Sequence, residues 1–477
     1  MSKKKKLVIF LFGFFYLFVF LCLYFSSLAL SGKTLFLDVV NNKQENFSKN
    51  YLSWKNKAQF IKPLKEFNEF LPQLVGIGKE TNYLVLLQNN WELRPSGGFM
   101  GSYGKLSFKN GGLTNIKVED IYVPDGQIPG HVDPPEPIQK AFKQGFWKLR
   151  DSNWEIDFMT ASKQILWFFE KGGEKDINGL IALNFIFLKD LLDVFGPINL
   201  VDYKLDINSS NFVNLAQEKA QADFFPGSSQ KKDFLSSLTK ELIFRFKDIN
   251  YKESFQLLKV IFKNLNQKQI LLSFNSKVVN QYFSKFNWTG EIKRLCSDKE
   301  NIVTDYLYLV ETNLGANKAN CCLERKVEQN ISFENSLLKE KLILGYKNNS
   351  PEKKPSPPQS WGGIYENYLR ILIPLESENI IVKINDQQIK ENIDLKEYQQ
   401  QKVKSIGFFV IVDPLSEKKV EVSFQKKVNH KANKYYLEIQ KQPGVESFPF
   451  IINFISQDLK TTKTIKADSI LKFSLID

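Results

Sequence analysis

Histidine is almost missing from this sequence, and cysteine is sparse. His131 and His430 are the only histidines among 477 residues. No HExxH pair occurs, so zinc-hydrolase chemistry lacks its usual ligands. The four cysteines, Cys22, Cys296, Cys321 and Cys322, form no CxxC, which argues against a structural zinc site. GxSxG, GxxxxGK[ST] and GxGxxG are absent as well. Their absence removes the common signatures of serine hydrolases, P-loop nucleotidases and dinucleotide-binding enzymes. With two histidines so far apart, Ser-His-Asp catalysis has a poor basis. Outside the cell Cys296 is available to pair with Cys321 or Cys322, and buried free thiols fit the spacing equally.

Long apolar runs are missing after the first thirty residues. Before that point Leu7–Leu30 reads LVIFLFGFFYLFVFLCLYFSSLAL, 24 residues without a charge. At about 1.5 Å per residue this spans a hydrocarbon layer of roughly 30 Å. Lys3, Lys4, Lys5 and Lys6 precede it, and the near flank behind it carries only Lys33. The positive-inside bias places residues 1–6 in the cytoplasm and the bulk of the chain outside, on a single-pass anchor in the cell membrane. A cleaved signal peptide is the competing reading, but its apolar stretch runs about 7–15 residues.

What is present suits a folded exterior. Hydrophobic residues make up 43% and aromatic residues 14%, with 41 Phe, enough to bury a large interior. The net charge of +13 favours anionic partners such as phospholipid head groups or lipid-linked phosphates. Nucleic acid is disfavoured by the location and by the lack of a recognition motif.

Periodicity divides the exterior. Residues 31–75 read as a helical stalk in which Pro63 and Pro72 kink or end helices. Residues 76–345 read as an α/β domain of mixed α+β character. Tyr83–Leu87 is a buried strand, Asn110-Gly111-Gly112 a hairpin turn, and 123–137 a long Pro- and Gly-rich loop. Strand 178–183, helix 185–195 and strand 198–205 suggest a parallel crossover. After the Pro-Ser-Lys run at 348–359, short β-patterned segments predict an all-β, sandwich-like domain over 346–477.

One motif stands out. Asn89-Asn90-Trp91-Glu92-Leu93-Arg94-Pro95-Ser96-Gly97-Gly98-Phe99 follows the first buried strand, where α/β folds place ligands. Gly97 and Gly98 permit a sharp turn. Arg94 offers a fork for phosphate, and Glu92 is placed to pair with it. A second cluster, Arg150-Asp151-Ser152-Asn153-Trp154-Glu155-Ile156-Asp157, precedes a helix that Asp157 is suited to cap. The sharper expectation is that Asp125, Asp151 and Asp157 hold a divalent cation such as Mg²⁺, while Arg94 and Arg150 hold phosphate.

The segments LLQNNWELRPSGGFMGSYG, RDSNWEIDFMTAS, NGLIALNFIFLKDLLDVFGPI and ETNLGANKANCCLER resemble, in that order, an uncharacterised bacterial domain family with an ELRPTGGF-like motif. The resemblance covers about residues 75–345 and implies a protein anchored by one N-terminal helix. More distantly, the order of elements is similar to the LytR-CpsA-Psr family, which moves glycopolymers from lipid pyrophosphate carriers to the cell wall. That likeness implies a phosphate-binding role for Arg94, an acidic role for Asp125, and Lys231 or Lys232 in place of a later Arg. Asn89 stands where an acid is expected, and no Arg separates Pro124 from Asp125. Together these readings imply an envelope protein that binds or transfers a lipid-linked or phosphate-bearing glycan, with a polyprenyl phosphate as partner. The alternative is a non-catalytic surface scaffold.

Overall fold

The computed structural model describes residues 26–221, 230–294, 299, 301–334, 336–429, 432–455 and 459–475. Most of Leu7–Leu30 lies outside the described residues, as do Lys3–Lys6, Cys22, Cys296 and His430. The last five residues of that run, 26–30, are helical. Among the described residues no helix is long and apolar enough to cross a membrane. The chain divides into two compact units. One takes Met1–Tyr83, Lys105–Lys117 and Leu238–Phe255, and the other takes Leu84–Gly104, Val118–Ser237 and Gln256–Asp477.

In the first unit, helices cover 26–40, Gln44–Ala58 and Lys62–Leu74. Pro63 sits in the first turn of the third, where no backbone N–H is needed. Pro72 lies in its last turn, and the helix stops two residues later. Leu35, Phe47, Trp54, Ala58 and Val75 form the buried cluster between these helices. The hairpin at Asn110-Gly111 has φ of 50° and 82°, as a two-residue turn of this kind requires. A Cβ on Gly111 would stand 2.2 Å from the Phe47 ring, so only glycine lets the hairpin lie this close.

Seven strands precede residue 275: β1 (Thr81–Asn89), β2 (Phe99–Lys109), β3 (Gly112–Asp120), β4 (Ile177–Asn184), β5 (Ile198–Leu200), β6 (Leu205–Ile207) and β7 (Ile270–Phe274). Five form one sheet in the order β3-β2-β1-β4-β7. In the second unit the helix Phe158–Lys171 buries Phe158, Ala161, Ile165, Phe168 and Phe169 against Leu84, Leu86, Met100, Leu180 and Ala182. Each buried Phe contributes about 2–3 kcal/mol. Asp157 caps this helix, its Oδ1 accepting from the Thr160 N–H at 2.9 Å. An alanine there would cost about 1 kcal/mol.

The expected parallel crossover after β4 does not form. β4 pairs antiparallel with β7, and β5 pairs with β6 in a separate two-stranded ribbon. The turn Val201–Tyr203, closed by Lys204 at φ 51°, folds the chain back after three residues of strand.

The remaining strands are β8 (Ile302–Val310), β9 (Leu323–Glu334), β10 (Leu337–Asn348), β11 (Tyr365–Pro374), β12 (Glu378–Ile384), β13 (Gln387–Ile389), β14 (Asp394–Tyr398), β15 (Val403–Val412), β16 (Ser416–Lys427), β17 (Lys434–Gln440), β18 (Phe448–Phe454), β19 (Leu459–Ile465) and β20 (Ser469–Ser474). They make a seven-stranded sheet, β13-β12-β16-β10-β9-β18-β19, and a six-stranded sheet, β14-β15-β11-β8-β17-β20. Leu342, Val422 and Ile452 of the first share one core with Leu307, Ile371 and Leu437 of the second. Alternating apolar residues on β10, with Leu338, Leu342, Leu344 and Tyr346 buried, fix which face turns inward. The boundary expected after residue 345 falls inside β10. The Pro-rich run at 348–359 connects β10 and β11, which belong to the two different sheets. The chain is thus a mixed α/β protein with several sheets.

Candidate functional site

β1 delivers Asn89 into a tight turn that returns the chain as β2. Gly97 sits at φ +126°, and a Cβ on Gly98 would lie 2.3 Å from the Asn89 carbonyl oxygen. Both positions therefore demand glycine. Ser96 Oγ accepts from Gln88 Nε2 at 2.7 Å and from Asn153 Nδ2 at 2.8 Å. The Asn153 amide also reaches the Gly98 carbonyl at 2.9 Å. The second sequence cluster thus braces the first.

A buried charge network fills the turn. Arg94, only 3% exposed, sets Nη2 3.0 Å from Glu92 Oε1 and 3.4 Å from Asp151 Oδ1. Its Nη1 donates to the Asn313 carbonyl. Lys318 Nζ reaches Glu92 Oε2 at 2.9 Å. Arg150 Nη1 lies 2.6 Å from Asp125 Oδ2, and Asp125 Oδ1 takes the Leu149 N–H at 2.6 Å. Arg150 Nε is 3.8 Å from Asp151 Oδ2. Asp125 is thus paired with an arginine 25 residues downstream.

Burial and charge set the ionisation of these groups against each other. Burial alone would raise the Glu92 carboxyl, but Lys318 and Arg94 outweigh it and hold Glu92 below the usual carboxylate range. Asp151 moves the other way. Burial raises it, helped by Glu92, and Arg94 and Arg150 offset this only in part. Lys231 donates to the Gly101 carbonyl at 2.5 Å, and burial pushes its ammonium down to about 8.

These groups open onto a cleft of about 560 Å³. Arg94, Arg150, Lys231 and Lys318 line it, against the carboxylates Glu92 and Asp151. Asp125, paired with Arg150, and Asp120, 3.9 Å from Lys231, stand behind the lining, so the lining itself carries four cations against two carboxylates with two more carboxylates behind it. Leu87, Phe99, Phe142, Phe185, Leu188 and Leu235 give the cleft an apolar wall. Two further lining residues carry polar atoms that are buried without a hydrogen-bond partner: Ser102 Oγ and Gln217 Nε2. Their residues are 1% and 2% exposed. A buried donor left unpaired costs about 1–3 kcal/mol, and a ligand group placed in the cleft would repay it.

Of the residues singled out in the sequence, Glu92, Arg94, Arg150 and Asp151 meet at this cleft, with Asp125 behind Arg150. Lys232 turns away to Glu119 at 3.5 Å, and its neighbour Lys231 lines the cleft. Asp157 is committed to its helix cap and to the Ile292 N–H at 3.0 Å. The three aspartates expected to bind Mg²⁺ thus do not converge. Asp125 and Asp151 both face Arg150, and among the described residues no cluster of three His, Cys, Asp or Glu is arranged to hold a metal. Cys321 and Cys322 carry free thiols. Sequence reasoning missed Ser102, Gln217 and Lys318 as part of the cleft. Ser102 and Lys318 fall inside the quoted segments FMGSYG and GANKAN, so their neighbourhood was visible although their roles were not.

Residues 79–220 match a protein-family model. Its description reads "Protein of unknown function (DUF4012)". The matched span runs from β1 to the helix Phe212–Gln221 and contains the motif turn, Asp125, Arg150 and Asp151. Lys231 and Lys318 lie beyond it. No curated protein matches the chain. Among solved structures, the Lin1025 protein of Listeria innocua is 11% identical over 44% of this chain and 79% of its own, with a TM-score of 0.22. Leukotriene A4 hydrolase of Saccharomyces cerevisiae is 8% identical over 31% of this chain and 27% of its own, with a TM-score of 0.18. An M1 zinc metallopeptidase of Deinococcus radiodurans is 9% identical over 32% of this chain and 39% of its own, with a TM-score of 0.17. The chain thus spans well under half the length of either enzyme. Likenesses this slight fix neither fold nor chemistry.

Proposed function

We propose that the chain is a membrane-anchored, extracytoplasmic envelope protein whose cleft binds the phosphate end of an amphiphilic ligand of the polyprenyl-phosphate class. The observation that carries this is the lining of one cleft by four cations, an apolar wall and two unpartnered buried polar groups. A phosphate monoester offers oxygen acceptors to Ser102 Oγ and Gln217 Nε2 and negative charge to Arg150, Lys231 and Lys318. The apolar wall suits a hydrocarbon chain, which free phosphate lacks. The uncharged run Leu7–Leu30 behind four lysines supports the anchor and the side of the membrane. The distant likeness to LytR-CpsA-Psr proteins points to the same ligand class.

The carboxylates of the cleft are taken up by guanidinium and ammonium groups. The second reading, a non-catalytic scaffold, is favoured by Arg94, whose Nη atoms are already engaged by Glu92, Asp151 and Asn313. Under either reading Arg94 braces the turn.

The test is calorimetric titration of the detergent-solubilised full chain with farnesyl phosphate, farnesol and inorganic phosphate. Farnesyl phosphate is expected to bind at least tenfold tighter than either. Equal binding of farnesol and farnesyl phosphate would remove the anion site, and equal binding of inorganic phosphate would remove the lipid wall.

A further inference from the structure

Three large apolar side chains of the first unit are exposed where two helices meet. Phe244 lies in the last turn of the helix Gln230–Lys247, and Tyr251 and Phe255 lie in the first two turns of the helix Tyr251–Asn266. Phe244 is 64% exposed and Tyr251 57%. Along the second helix Tyr251, Phe255 and Leu258 fall at i, i+4 and i+7, so they share one face. All three are more than half exposed. The side of this helix that packs inward is a different one and carries Leu257, Asn264 and Leu265. Single exposed apolar residues are ordinary on a surface, whereas a row of them marks a place of contact.

Basic groups surround the row. Lys240, Arg245, Lys247 and Lys252 are exposed. Asp248 is the one exposed acid between residues 240 and 252, and Glu241 is half-buried. Glu253 Oε2 takes the Asn250 N–H at 3.0 Å. Aromatic rings flanked by ammonium and guanidinium groups suit the head-group layer of an anionic bilayer. The rings enter the acyl boundary, and the long basic side chains reach the phosphates.

The corner is also tied to the segment behind the apolar run. Phe246 packs edge-on against Phe36, with ring centroids 6.1 Å apart. Phe36 belongs to the helix 26–40, whose first five residues are the last five of Leu7–Leu30. It stands six residues past Leu30, about 9 Å along the helix axis. The head-group layer is roughly 5–8 Å deep on each side of a bilayer. With Leu7–Leu30 in the bilayer, the Phe36–Phe246 contact brings the corner close to the membrane surface. We propose that this corner is a docking surface for anionic phospholipid, with Phe244 and Tyr251 in the interface and Arg245, Lys247 and Lys252 on the head groups. The inference rests on the anchor reading. It adds a second contact, which restrains an exterior that one helix leaves free to tilt.

The experiment reconstitutes the full chain in nanodiscs of phosphatidylglycerol or phosphatidylcholine with brominated acyl chains. Phe244→Trp and Tyr251→Trp each add one indole at an exposed position. In phosphatidylglycerol at least half of the added emission should be quenched, and in phosphatidylcholine less than half as much. Lys247→Glu combined with Lys252→Glu should cut the quenching in phosphatidylglycerol at least twofold. Added emission that stays unquenched in a chain resisting carbonate extraction overturns the docking surface and leaves the anchor standing. Quenching indifferent to lipid charge and to the double substitution overturns the anionic partner. Release of the chain by carbonate overturns the anchor and the docking surface with it. Self-association in detergent that Phe244→Ser abolishes assigns the face to a second copy and also overturns the proposal.

Discussion

Lys318 holds its ammonium 2.9 Å from Glu92 Oε2 across 226 residues of sequence. This contact ties the loop before β9 to the motif turn and shares Glu92 between two cations. Lys318→Met leaves Glu92 with Arg94 alone. The expected loss is about 2 kcal/mol, below the roughly 3–5 kcal/mol of a fully orphaned buried charge. Because Glu92 is held below the normal carboxylate range, its stabilisation is present above that range and lost as pH falls through the folded value. Urea midpoints of the two proteins should differ at pH 7 and converge as the pH falls through the folded value of Glu92. A constant difference would contradict the assignment.

Lys231 titrates near neutrality, with its ammonium pushed down to about 8 by burial. Above that pH it loses the charge that faces the ligand. Affinity for farnesyl phosphate should therefore fall between pH 7 and pH 9.5, a range in which the phosphate monoester keeps its full charge. In Lys231→Met the affinity should start lower and stay flat. Titration calorimetry at three pH values checks this, and an undiminished slope in the variant would assign the titration elsewhere.

The motif turn depends on glycine where backbone meets backbone. Gly98→Ala places a carbon 2.3 Å from the Asn89 carbonyl oxygen, an overlap that only a backbone shift relieves. The expected cost is about 2–3 kcal/mol. Gly145→Ala, with nothing within 4 Å of the added carbon, should change stability by no more than about 0.5 kcal/mol. Thermal or urea denaturation of the pair reads the contrast.

What the sequence made legible was local. Asn110-Gly111 announced its hairpin, Asp157 its cap, and Glu92 with Arg94 their ion pair, because each is decided within a few residues. The β-patterned segments within 346–477 predicted strands, and β11, β12, β15, β16, β17 and β18 lie there. Lys318 and Gln217 were not legible as partners of the turn, since their proximity is created by the fold across more than a hundred residues. Ser102 was visible only as one residue of the quoted segment FMGSYG, and its burial without a partner is what marks it. The ribbon of β5 and β6 misled for the same reason. Strand, helix and strand look like a crossover until a three-residue turn reverses the chain.

Inside the sandwich, Glu340 on β10 is raised well above an ordinary carboxyl by burial and then by Asp305 on β8. Tyr435 donates to Asp305 at 2.5 Å and Gln329 donates to Glu340. A raised carboxyl favours the folded state below its unfolded value and loses that advantage as pH rises through the folded one. The stability of Glu340→Gln relative to the parent should therefore improve as the pH rises from the ordinary carboxylate range into the neutral and alkaline range. Denaturant midpoints across that range test it, and a difference independent of pH would refute the shift.

Ser102 tests the proposed anion site of the cleft most directly. Its Oγ is buried without a partner in the chain. Ser102→Ala should leave the unliganded protein as stable as the parent or more so, while weakening farnesyl phosphate about tenfold, equivalent to one hydrogen bond of about 1.4 kcal/mol. Titration calorimetry paired with urea denaturation measures both quantities on the same variant. Unchanged affinity, or a loss of stability matching the loss of binding, would contradict the account.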